Sequence, residues 1–331
     1  MPDSFALLVL VVLLAIAFEF VNGFHDAANA IATSVSTRVL SPRTAIIMAA
    51  VLNLAGALSG TAVAKAVGAG LVMPAAVSQI TIISALVSAI LWDLLTWYFG
   101  LPTSSSHALM ASIVGAGIAT AGKDVLIWAG IEKVLYGLVL SPLIGFLVAF
   151  FFMVFLVRMF HRRAPATVTA KFSKLQIVSA AYMAFSHGSN DGQKTMGIVA
   201  MALVSYYGLK TFEVPVWVIL TCGLAIALGT AAGGWRIIKT LGVGLVHLRP
   251  IHGFAAEATA GTVIEIATRI GLPISTTHTI SSSVMGVGAS KRLSAVRWGI
   301  GGDIIMAWIL TLPACIGLAW AICKGLNAVL G

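Results

Sequence analysis

Apolar residues run along this chain in long unbroken stretches rather than in alternation with polar ones. Stretches of about 20 residues recur, the length that carries a helix across a bilayer. Lipid offers backbone groups no partner, so spans are helices or closed barrels, and the uninterrupted pattern selects helices. The pattern predicts elements at 5–37, 44–64, 78–99, 104–121, 134–157, 175–204, 215–233, 252–270, 275–290 and 298–323. The first is too long for one straight span. The pairs 78–99 with 104–121 and 252–270 with 275–290 read either as two full spans each or as re-entrant hairpins. The expected fold class is therefore an all-α membrane protein of about 10–12 transmembrane or re-entrant helices.

Composition agrees: 59% of the 331 residues are hydrophobic and 9% charged, against about 25% charged in a soluble domain. The formal net charge of +9 raises nucleic acid as a partner. The positions of the charges argue against it. Most basic residues fall in four connections, with Arg38 and Arg43 in the first and Arg158, Arg162, Arg163, Lys171 and Lys174 in the second. The third holds Arg236, Lys239 and Arg249; the fourth holds Lys291, Arg292 and Arg297. Alternating the spans puts all four on one side, and cytoplasmic loops are the ones enriched in Lys and Arg. The expectation is a multi-pass protein of the cell membrane, with both termini outside, 158–174 cytoplasmic, the lipid bilayer as partner and no nucleic acid. The stretch from Phe5 runs past Glu19 into a motif and reads as the first membrane helix rather than a removable signal. Cys222, Cys315 and Cys323 have no metal-ligand spacing and read as buried free thiols.

The chain also repeats itself. Gly100-Leu-Pro-Thr-Ser-Ser-Ser-His107 is matched by Gly271-Leu-Pro-Ile-Ser-Thr-Thr-His278. Gly23-Phe-His-Asp-Ala-Ala-Asn29 aligns with Gly188-Ser-Asn-Asp-Gly-Gln-Lys194, and more weakly Gly60-Thr-Ala62 with Gly229-Thr-Ala231. The expected organisation is a first repeat at 1–157, a basic linker at 158–174 and a second repeat at 175–331. An odd number of crossings in the first makes the two inverted, a common plan of secondary transporters.

The motifs point to an anion and a cation. Pro102 and Pro273 break the preceding helix, so Ser104, Ser105 and Ser106, with Ser275, Thr276 and Thr277, stand where new helices start. Such starts present free amides and partial positive charge, suited to a tetrahedral oxyanion. These six and Gln193 are the candidate substrate-binding residues. Asp26 and Asp191 lie inside apolar stretches, where an ionisable group is costly and functional by default. With Asn29, Asn190 and carbonyls of helices broken at these motifs, they offer hard oxygen ligands for Na⁺, or carry protons instead. Asn29 is matched by Lys194, so the halves are not equivalent; Lys194 pairs with Asp191 or touches the anion. Lys194, His107, His278 and Glu257 are accessory candidates, and Glu265 is a further acid with Arg269 as a ready partner. No catalytic arrangement and no Walker loop stands out, so the chain does not read as an enzyme.

On the segments 22–33, 186–197, 234–240 and 281–289 and the two Gly-Leu-Pro motifs, the chain resembles the inorganic phosphate transporter (PiT) family, compact bacterial type. The resemblance implies phosphate uptake by symport with Na⁺ or H⁺, sometimes of a metal–phosphate complex, with no cofactor beyond the coupling ion. It implies that Asp26, Asn29, Asn190 and Asp191 belong to the coupling and substrate site. His25 departs from the pattern, where many relatives have Asn. A sulfate permease of the same family, an anion channel and a cation exchanger are the alternatives, and a homodimer stays open.

Overall fold

The structure, a computed structural model, describes residues 4–73 and 76–330. The described residues form twelve α-helices: α1 (Phe5–Ser36), α2 (Pro42–Ala57), α3 (Ala62–Gly68), α4 (Gln79–Phe99), α5 (Ser105–Ala121), α6 (Trp128–Phe160), α7 (Pro165–Tyr207), α8 (Val216–Ala232), α9 (Trp235–Lys239), α10 (Pro250–Arg269), α11 (Thr276–Lys291) and α12 (Trp298–Leu330). A π-helical turn, Thr240–Gly244, continues α9. The protein is all-α, as the apolar pattern requires. Four helices are long and apolar enough to cross a bilayer, or six when each of two bent pairs counts as one span.

The six elements of the first half recur in the same order in the second. The α2–α3 pair is bent by 74° and the α8–α9 pair by 60°. α6 and α12 each carry one internal proline, Pro142 and Pro313. The two motif helices run antiparallel: Glu19 of α1 meets Thr195 of α7, while Thr37, capping the other end of α1, bonds Gln176 at 2.8 Å. Packing crosses between halves, with α1 against α8, α2 against α7, α5 against α12 and α6 against α11.

Three sequence expectations need correction. α1 and α7 are not broken at Gly23 and Gly188; each is continuous, over 32 and 43 residues. Those glycines serve close packing instead. A Cβ on Gly23 would lie 2.3 Å from Ile226 O, and one on Gly188 2.1 Å from Asn53 O. The breaks fall between α2 and α3, at Gly60, and between α8 and α9, at Gly233 and Gly234. The region 158–174 is mostly helix rather than an open linker, since only a short turn separates α6 from α7. Likewise much of 236–249 is the α9 and π-helical segment.

The serine and threonine motifs lie in two helical hairpins, α4–α5 and α10–α11. Left-handed glycines, Gly100 (φ 69°) and Gly271 (φ 68°), end the first arm of each. An isolated bridge, Val72 to Leu126, ties the base of the first, and Val246 to Val296 the base of the second. The bases point to opposite ends of the molecule. The basic connections gather at the second: Arg38, Lys239 and His247 line one cavity, Arg158, Arg249 and Lys291 another.

Two apolar cores flank a buried polar layer. Along α1, Leu8, Val11, Ala15 and Phe18 join one core and Ala28, Ile31 and Ala32 the other. Along α7, Met196 and Ile198 join the first and Met183 and Ala184 the second. Between them sit the Asp motifs.

Candidate transport site

The hydroxyl motifs meet in that layer. Ser104 Oγ accepts from His107 N at 3.2 Å and Ser275 Oγ from His278 N at 3.1 Å, so each is the N-cap of its helix. The first amides of α5 and α11, those of Ser105, Ser106, Thr276 and Thr277, have no intrahelical acceptor. His107 and His278 lie ring to ring at 4.7 Å, and His278 stacks on Trp308 at 3.9 Å.

Both aspartates reach these caps, and both are buried. Asp191 Oδ1 receives Lys194 Nζ at 2.5 Å and Ser106 Oγ at 3.4 Å; its Oδ2 receives Thr276 Oγ1 at 2.9 Å. Asp26 Oδ2 receives Thr277 Oγ1 at 3.0 Å, and its Oδ1 lies 2.7 Å from His25 Nδ1. Lys194 Nζ also donates to Ser106 Oγ at 2.5 Å and to Ile274 O at 2.7 Å. Of the two sequence roles for Lys194, the pairing with Asp191 has its contact; its second partner is the Ser106 hydroxyl in the first turn of α5. Asn29 Nδ2 donates to Thr277 at 2.9 Å, and Asn190 Nδ2 to Thr268 at 2.7 Å. Among the described residues, the Oδ1 atoms of both asparagines are buried with no hydrogen-bond partner. The Asn29 and Asn190 carbonyl oxygens are thus left able to accept from, or ligate, a group in this layer.

His187 completes a candidate cation cluster. One ligand atom each from Asp26, His187 and Asp191 lies within 4.8 Å of the others. Thr230 donates its hydroxyl to the carbonyl of Ile226 at 2.8 Å, and Asn53 Nδ2 donates to Thr230 at 2.8 Å. This fixes Asn53 Oδ1 as the acceptor for His187 Nδ1, at 3.0 Å. In the Nδ1–H tautomer this arrangement selects, Nε2 presents a lone pair to Asp191 Oδ2, 3.3 Å away. Two acceptors facing each other are satisfied by a proton or by a metal cation between them.

Other sequence candidates fall elsewhere. Gln193 Oε1 accepts from Val63 N at 2.9 Å, so that side chain caps α3. Glu257 accepts from Thr33, from Gln176 at 3.2 Å and from Ser179 at 2.5 Å, and none of these is a cap hydroxyl. Thr33 lies two helical turns beyond Asp26, about 10 Å along α1. Glu265 pairs with Arg269 at 3.0 Å.

Sequence reading missed several residues. Asn53 carries no motif, and its signal was only an amide inside an apolar helix. The Thr96 and Thr103 hydroxyls lie 3.1 Å and 3.4 Å from His25 Nε2. Glu19, an intramembrane acid already visible in the sequence seven residues before Asp26, accepts from Thr195 and is fully buried.

Comparison with known proteins converges on one family. The sequence profile of the Phosphate transporter family matches residues 22–171 and 159–319. A protein of Rhizobium meliloti (strain 1021), described as a probable low-affinity inorganic phosphate transporter, is 47% identical over 323 residues, covering 97% of this chain and 96% of that one. A Bacillus subtilis (strain 168) protein of the same description is 46% identical, covering 93% of each. A solved structure, the sodium-dependent phosphate transporter, superposes with a TM-score of 0.88 at 25% identity, covering 98% of this chain and 100% of that one. Two hydroxyl-capped helix starts converging on two buried aspartates are thus found in a chain that belongs to the phosphate transporter family, a multi-pass membrane protein and not an enzyme.

Proposed function

We propose that this protein takes up inorganic phosphate by symport with a cation, through alternating access between two inverted repeats in the cell membrane. One observation carries the reading: helix starts from opposite hairpins present donors to the same layer in which Asp26 and Asp191 are buried. The first-turn amides of α5 and α11 with Ser105, Ser106, Thr276 and Thr277 bind the anion. No arginine is among them, so the anion is held by neutral donors and the helix dipoles and is released readily. Asp26 and Asp191 with the free carbonyls of Asn29 and Asn190 hold the coupling ion, which offsets the anion's charge in a low-dielectric site. Na⁺ is the ion of the superposed neighbour. The antiparallel run of α1 and α7 supports the inverted arrangement, and the gathering of the basic connections at one end supports a cytoplasmic face there with both termini outside. A cavity of about 470 Å³ lined by Arg38, Lys239 and His247, beside the end of α1, then serves as a positively charged vestibule on the path from the site.

Proton coupling is the second reading, favoured by His187. Its lone pair faces a carboxylate, and protonation of the ring satisfies both without any metal.

The test is radiolabelled phosphate uptake into proteoliposomes under imposed Na⁺ or pH gradients, with sulfate as competitor. Uphill uptake driven by one gradient and lost in Ser105→Ala and Thr276→Ala is the expected result. Uptake driven by neither gradient, or unchanged in both variants, would overturn it; strong competition by sulfate would assign the site to that anion instead.

A further inference from the structure

We propose that the groove where α6, α7, α10 and α11 end binds the head group of an anionic phospholipid. The groove consists of two adjoining cavities, about 430 Å³ and 350 Å³, that share Met153, Val157, Arg249 and His252. Arg158 from the last turn of α6, Arg249 before α10 and Lys291 at the end of α11 line the first; Arg163 from the α6–α7 turn lines the second. No carboxylate lines either. Among the described residues these four cations have no ion-pair partner, in contrast to Lys194 with Asp191 and Arg269 with Glu265. Four like charges crowded together without counter-ions repel one another, and a bound anion relieves that cost. The N-termini of two long helices, α7 at Pro165 and α10 at Pro250, open into the second cavity and add partial positive charge.

The apolar wall selects the source of that anion. Met153, Val154 and Val157 line the groove, and the same helix presents Phe151, Phe155 and Met159 outward, 64%, 57% and 52% exposed. This outward face belongs to α6, one of the most apolar helices of the chain and a membrane-crossing candidate. A free phosphate ion has no use for such a surface. A phospholipid places its acyl chains along it and its phosphodiester among the arginines, as basic pockets at the cytoplasmic ends of membrane helices do. The groove is lined by none of the central polar residues, so the inference stands apart from the transport site.

Native mass spectrometry of the full chain, released from detergent after titration with phosphatidylglycerol or phosphatidylcholine, tests this. Retention of phosphatidylglycerol over phosphatidylcholine by about tenfold or more is expected, given three or four basic contacts. The Arg158→Gln/Arg249→Gln/Lys291→Gln variant should lose that preference. The charge-keeping Arg158→Lys/Arg249→Lys variant should keep it, as should Lys65→Gln/Lys123→Gln/Lys133→Gln, which removes charge from the opposite end. Millimolar orthophosphate should not displace the lipid. Equal retention of both lipids, an unchanged preference in the neutralised variant, or displacement by orthophosphate would each sink the proposal. If the neutralised triple variant fails to fold, the single Arg249→Gln and Lys291→Gln variants, with the charge-keeping one, carry the same test.

Discussion

The two aspartates hold matching positions in two similar motifs, yet they stand in different electrostatic company. Asp191 carries a lysine one helical turn away at 2.5 Å, two hydroxyl donors and a histidine. Asp26 has a single hydroxyl and the neighbouring His25. Where Asn29 completes the first motif, Lys194 completes the second. A buried carboxylate with a fixed ammonium already has its charge compensated, whereas Asp26 has only a hydroxyl and an imidazole beside it. On the proposed function, this contrast makes the Lys194 ammonium the standing partner of Asp191 and leaves Asp26 without one.

That contrast is open to breakage. The largest effect is expected for Asp191→Asn, which strands a fully buried ammonium and should destabilise the protein by about 3–5 kcal/mol; thermal unfolding in detergent reads it. Pairing that change with Lys194→Met should restore most of the loss while leaving phosphate uptake abolished. A double variant no more stable than the single one would deny that the lysine is the aspartate's permanent partner. Asp26→Asn should unfold near the wild-type temperature. It should instead weaken the coupling cation by about tenfold or more, since a hydrogen-bonded or ligated charge is worth roughly 1.5–3 kcal/mol. The readout is the cation concentration at half-maximal uptake.

Packing comes next in size. Gly23→Ala and Gly188→Ala place a methyl 2.3 Å and 2.1 Å from carbonyl oxygens of α8 and α2. Each should cost about 1–3 kcal/mol of stability, and near-equal losses would show that the halves are mechanically alike where they differ electrically. Smallest is Thr277→Val against Thr276→Val. Each removes one hydroxyl from a carboxylate, and the effect on uptake should be larger at Thr277, the only hydroxyl donor to Asp26 among the described residues.

Much of the site was legible before folding. Proline followed by a hydroxyl run announces a capped helix start, and an aspartate in an apolar stretch announces a purpose, because each is a local rule with a local energy. Asn53 was not legible. Its role depends on a chain of donors running from Thr230 through Asn53 to His187, residues far apart in sequence that meet only when α2 packs between α7 and α8. The partners of Gln193 and Glu257 were not legible for a related reason: residue type and a place in a motif do not say which way a helix turns, and here they are Val63 N and Ser179 Oγ.

From the order of residues alone follow the helical class, the membrane setting, the duplication and the inequality of the two motifs, because apolar length, charge and residue type act over a few turns of chain. Only the tertiary structure decides that α1 and α7 stay continuous through their glycines, that the kinks lie in α2–α3 and α8–α9, and that hydroxyls from one half reach aspartates of the other. Those outcomes rest on close approach between distant segments, where a missing methyl group or one fixed amide orientation settles which atoms meet.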